Sequence, residues 1–87
     1  MEESKGVRSS KKGSVISIEL STSEALVLFE LLARINNLEK GIEFDDQAEE
    51  RVLWDLEASF ESLLVEILDP NYDKLLKAAR NLVRDED

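Results

Sequence analysis

The chain has 87 residues and a formal net charge of −9, a length at which one hydrophobic core is near the smallest that folds unaided. Apolar residues make up 43% and charged residues 36%, and there is no cysteine or histidine. Disulfides, thiolate metal sites, the usual general base and the usual zinc ligand are thereby excluded.

The charge is unevenly spread. Residues 1–13 carry two acids against four bases, and residues 14–87 carry eighteen acids against seven bases. The opening segment is rich in Ser, Lys and Gly and reads as a disordered basic tail. It has no apolar run of the secretory kind, and no stretch approaches the roughly 20 apolar residues of a membrane helix. A cytoplasmic protein is expected, with a single small helical domain over 14–87. An acidic body disfavours nucleic acid, which needs a basic face.

Val15 to Leu20 alternates: Ile16, Ile18 and Leu20 share one face, and Val15, Ser17 and Glu19 the other. This is the pattern of a half-buried strand. Three pairings suit it. Ile42–Phe44, a possible second short strand, could run parallel to it with a helix as crossover. The same strand of a second copy could pair with it, through Val15, Ile16, Ile18 and Leu20. A partner protein could also add a strand to an open edge. Pairing with a second copy is the favoured reading.

Ser21 and Glu24 have the spacing of a capping box, with Leu20 and Ala25 placed for a hydrophobic staple. They predict a helix from about Thr22 to about Leu38, closed by Asn36-Asn37 and Lys40-Gly41. Ala25, Leu28, Leu31, Leu32, Ile35 and Leu38 form its apolar stripe. Leu26, Val27, Phe29 and Ala33 widen the stripe until only Glu30, Arg34 and Asn37 clearly face water, the first two as an i,i+4 pair.

Asp45 or Asp46 caps a long acidic helix expected to reach Leu68. Val52, Leu53, Leu56, Phe60, Leu63, Leu64 and Ile67 make its core stripe, while Trp54, Ala58 and Val65 line the reverse side with Glu61 between them. Asp69-Pro70 ends this helix and begins a third, with Tyr72, Leu75, Leu76, Ala79, Leu82 and Val83 at helical spacing. The fold class is mainly α: one strand, then a helical hairpin with a long acidic central helix, then a short C-terminal helix. Two helices this apolar exceed what one small chain can cover, so a homodimer is expected.

Catalytic chemistry is sparse. Ser21, Ser23, Ser59 and Ser62 lie in no nucleophile turn, and Gly6, Gly13 and Gly41 are too scattered for a phosphate cradle. Asp46–Glu50 and Glu57–Glu61 are carboxylate pairs at helical spacing, without the glycine and spacing of a calcium loop. They read as a solvated acidic face. Lys77, Arg80 and Arg84 form a small basic ridge expected to answer the acidic helix, within one chain or between two. No catalytic, metal or cofactor residue is assigned.

The expected function is therefore non-catalytic: an acidic protein–protein interaction module. Its contact residues would be Trp54, Ala58, Glu61, Val65, Asp46, Glu50 and Glu57, an aromatic anchor among acids that draw in a basic partner. In length and charge the chain resembles small acidic bacterial immunity proteins and antitoxins, a likeness that implies masking of a basic toxin. The Tyr-Tyr-Pro segment of the nuclease-colicin immunity proteins is absent; here Asn71-Tyr72 follows Pro70. A structural homodimer or adaptor is the alternative, with Trp54 buried between copies. A carboxylate metal site or an enzyme ranks third.

Overall fold

A computed structural model describes residues 7–38 and 43–85. Two strands, β1 (Arg8–Lys12) and β2 (Val15–Glu19), precede helices α1 (Thr22–Asn36), α2 (Gln47–Leu63) and α3 (Tyr72–Arg84), with a 3₁₀ turn, Val65–Leu68, between the last two. The mainly α class holds, and the strand expected at 15–20 is one arm of an antiparallel hairpin.

The hairpin corrects two expectations. Residues 8–12, read as part of an unstructured tail, are a strand, and that strand is the partner of β2 within the same chain. Polar, basic Arg8-Ser-Ser-Lys-Lys12 has little strand propensity; the turn brings it into place. Lys12 pairs with Val15 around Gly13-Ser14, and Gly13 has φ 61°. Glycine at the first of two loop residues is what a type II′ hairpin turn requires. Glu43 and Phe44 are not strand, and Ile42 lies outside the described residues.

α1 begins as its sequence dictates. The Ser21 hydroxyl accepts from Glu24 N–H at 3.1 Å, and Glu24 Oε1 accepts from Ser21 N–H at 2.8 Å. Leu20 packs on the cluster that holds Ala25. The helix ends at Asn36, and Asn37 Nδ2 donates to the Ala33 carbonyl at 2.6 Å. α2 is capped by Asp46, whose carboxylate accepts from Ala48 N–H at 2.7 Å.

α2 stops at Leu63, five residues short of the expected end. Leu64 is extended, with φ −97° and ψ 93°, which turns its side chain into the core. The Ser62 hydroxyl donates to the Ser59 carbonyl at 2.8 Å in the last turn, a local bond that competes with helix continuation. Asp69 Oδ1 then accepts from Asn71 N–H at 2.7 Å, and α3 starts at Tyr72 with Asn71, not Asp69, at its cap.

The core sits between α1 and α3. Ala25, Leu26, Phe29, Leu64 and Ala79 form one buried cluster, and Leu32 and Leu76 are buried too. Phe60, Ile67 and Tyr72 pack on it from the side. α2 contributes no buried residue; of the core stripe assigned to it, Val52, Leu56 and Leu63 are exposed, Leu53, Phe60 and Ile67 half-buried, and Leu64, beyond the helix end, buried.

Candidate protein-contact surfaces

α2 packs against α1 along a narrow line. Leu53 and Phe60 are half-buried there, and Asn36 Nδ2 donates to Glu57 Oε1 at 2.6 Å across the seam. Glu57 therefore faces α1 and leaves the outward set in which its spacing had placed it. The two flanks of the helix stay open. Trp54 and Leu56 lie roughly 200° apart around the axis, so the flanks carry different chemistry.

The first flank is apolar. Val52 is 62% exposed and Leu63 74%, although both were expected in the core. Beside them runs a groove of ≈ 570 Å³, bounded by Ile18 and Leu20 at the hairpin base, Leu28 of α1, and Leu56, Phe60 and Leu63 of α2. A second recess, beside Phe44, Val52 and Leu53, continues the apolar surface toward the start of α2.

The second flank carries Trp54, 51% exposed, with Ala58 and Glu61 also exposed. Asp46, Glu50 and Arg51 border a shallow depression against the indole. Arg51 Nε lies 3.3 Å from Asp55 Oδ1, an exposed i,i+4 pair of the kind that contributes little to stability. Val65, in the 3₁₀ turn, is exposed. Of the expected contact set, Asp46, Glu50, Trp54, Ala58 and Glu61 share this open flank, Val65 follows beyond the helix end, and Glu57 does not belong.

Over its length α2 bears five acids against one base. Among the described residues no group of three or more acidic side chains converges, and no helix is long and apolar enough to cross a membrane. Within one chain the basic ridge of α3 does not answer α2 among the described residues. Lys77 and Arg80 are exposed, Arg84 pairs with its neighbour Asp85 and bonds Asn81, and no ion pair among the described residues joins α3 to α2.

The polar contact that fixes α3 is between Tyr72 and Glu30. The Tyr72 hydroxyl donates to Glu30 Oε1 at 3.0 Å. Burial, then the Glu30 carboxylate as acceptor and as negative charge, push the Tyr72 phenol up to about 12, with Arg80 opposing and Asp73 adding. Glu30, expected on a water-facing ridge with Arg34, is thus an interhelical acceptor. Sequence spacing had no means of finding this contact, or that of Asn36 with Glu57, because each joins residues far apart in the chain.

Comparison with protein-family models, curated proteins and solved structures gave no match.

Proposed function

We propose that this chain is a non-catalytic protein–protein interaction module, acting in the cytoplasm, with α2 as its contact helix. The observation that carries the reading is that α2 buries none of its 17 residues yet bears Trp54, Val52, Leu56 and Leu63 at its surface. Exposed apolar surface of this extent, rimmed by charge, is characteristic of an interaction site. The Trp54 flank takes a basic protein. The indole supplies a rigid apolar anchor, and Asp46, Glu50 and Glu61 speed the approach of positive charge. Masking a basic partner, as immunity proteins and antitoxins do, is the role that suits such a flank.

The test compares the wild-type chain with Trp54→Ala and Glu61→Lys as immobilised baits at low and high salt. A basic protein held by the wild type, released by salt and lost from both variants supports the reading. Equal retention by all three baits, or retention insensitive to salt, contradicts it.

A second reading is supported by a separate observation, the groove between hairpin, α1 and α2. There the chain is a structural homodimer, with apolar surface covered by a second copy. The two readings use opposite flanks of α2 and are compatible in one molecule.

A further inference from the structure

We propose that two copies join through the free edges of β2, forming a four-stranded antiparallel sheet in the order β1-β2-β2-β1, centred on Ser17 of each copy. This inference rests on the homodimer reading and specifies how the dimer is built.

The hairpin shows why it needs a partner. All ten strand residues are exposed, and an isolated two-stranded hairpin is marginal in water. Its register makes the two faces unlike. Ile16 opposite Lys11 and Ile18 opposite Ser9 lie on one face; Val15 opposite Lys12, Ser17 opposite Ser10 and Glu19 opposite Arg8 lie on the other. Ile16 is 66% exposed and Ile18 61%.

The two edges also differ. β1 carries Arg8, Lys11 and Lys12 in five residues, the charge density that keeps an outer edge from pairing. β2 reads Val15-Ile-Ser-Ile-Glu19, with one charge, and β1 is its only strand neighbour among the described residues. A sheet with β1 at both margins and β2 in the middle protects its edges and uses the unprotected one.

A second copy fits this edge because the sequence is self-complementary about Ser17. Full antiparallel overlap of 15–19 places Ile16 opposite Ile18 of the other copy and Val15 opposite Glu19, with no like charges opposed. A two-fold axis through the Ser17 pair keeps both apolar faces on one side of the sheet, the closed symmetry most common in homo-oligomers.

The groove supplies the rest of the argument. Ile18 already lies on its wall. The proposed register sets Ile16 of the second copy beside Ile18, on the same face, with Lys11 of that copy next in the row. Of the arriving hairpin's bases only Lys11 shares the apolar face, and no acid lines the groove, so the fit there is apolar. Edge pairing and apolar cover are met by one arrangement.

The chain has no cysteine, so single cysteines report on distance. Two residues directly opposed across the axis have Cα atoms about 4.5–5.5 Å apart, within disulfide reach. Ser10, on the outer strands, would lie roughly 14 Å from its counterpart and beyond reach. The experiment measures the solution mass of the full chain and then the oxidation of Ser17→Cys and Ser10→Cys. The proposal expects a dimer in which Ser17→Cys forms covalent dimer roughly tenfold faster or more than Ser10→Cys. It also expects methyl contacts between Ile16 and Ile18 in mixed samples of labelled and unlabelled wild-type chain. A dimer whose Ser17→Cys form cross-links no faster, with no such methyl contacts, overturns this arrangement and leaves the homodimer reading standing. A monomer at the highest soluble concentration overturns both.

Discussion

The Tyr72 hydroxyl, at the start of α3, is tied to the Glu30 carboxylate in the middle of α1 across 3.0 Å. It closes one side of the seam between the two helices that form the core. Tyr72→Phe removes the donor and leaves a carboxylate that can turn to water, so the expected loss is about 1 kcal/mol, read by urea unfolding. The bond also makes stability depend on pH. The folded phenol titrates near 12, above the ordinary value of about 10 in an unfolded chain. Its stabilisation is thus complete below pH 10 and lost as pH rises toward 12. The wild-type advantage over Tyr72→Phe should shrink across that window; an advantage that stays constant would contradict the assigned contact.

The placement of the core is testable by truncation. Phe29 and Leu76 lie between α1 and α3, both nearly inaccessible. Phe29→Ala and Leu76→Ala should each cost about 3–4 kcal/mol. Val52→Ala and Leu63→Ala, at exposed positions of α2, should alter the stability of the isolated chain by no more than about 0.5 kcal/mol. Comparable losses at all four positions, measured by urea unfolding at low concentration, would mean that α2 contributes a core face after all.

Gly13 tests the hairpin. Its φ of 61° is costly for any residue with a Cβ, although nothing lies within 4 Å of where that atom would stand. The cost is therefore conformational, roughly 1–2 kcal/mol. Gly13→Val should leave the helical circular dichroism unchanged and abolish hydrogen-exchange protection at β2. Unchanged protection would contradict the turn.

Trp54 distinguishes the two flanks of α2. Trp54→Ala is expected to leave both stability and self-association unchanged, because the indole stands away from the groove and the hairpin. Leu56→Glu, in the groove wall, is expected to weaken self-association at least tenfold, a shift of about 1.4 kcal/mol. Sedimentation of both variants decides this, and the reverse ranking would place the seam at Trp54.

Much of the helical architecture was legible because its signals are local. Ser21 and Glu24 form their box, Asp46 caps α2, and the α3 periodicity from Tyr72 to Val83 corresponds to a real helix. The end of α2 was hidden because the apolar pattern continues past the break: Leu64 and Ile67 keep helical spacing while the backbone turns at Leu64. Strand β1 was hidden by its composition, although Gly13-Ser14 between Lys12 and Val15 is a two-residue hairpin signal. The greater error concerned α2. Periodicity identifies an apolar face and does not say what covers it; Leu56 and Leu63 have core spacing and face the groove, and Val52 has it and borders the second recess. Glu57 was misplaced because its partner Asn36 comes from another helix.

The proposed self-association sets the apolar flank of α2 and the hairpin against a second copy. The mass of the chain in solution, by light scattering on a sizing column, tests it most directly. The account predicts twice the 9.9 kDa of one chain, falling to the single-chain value in Leu56→Glu. A wild-type chain that elutes and scatters as a monomer at every concentration would contradict it.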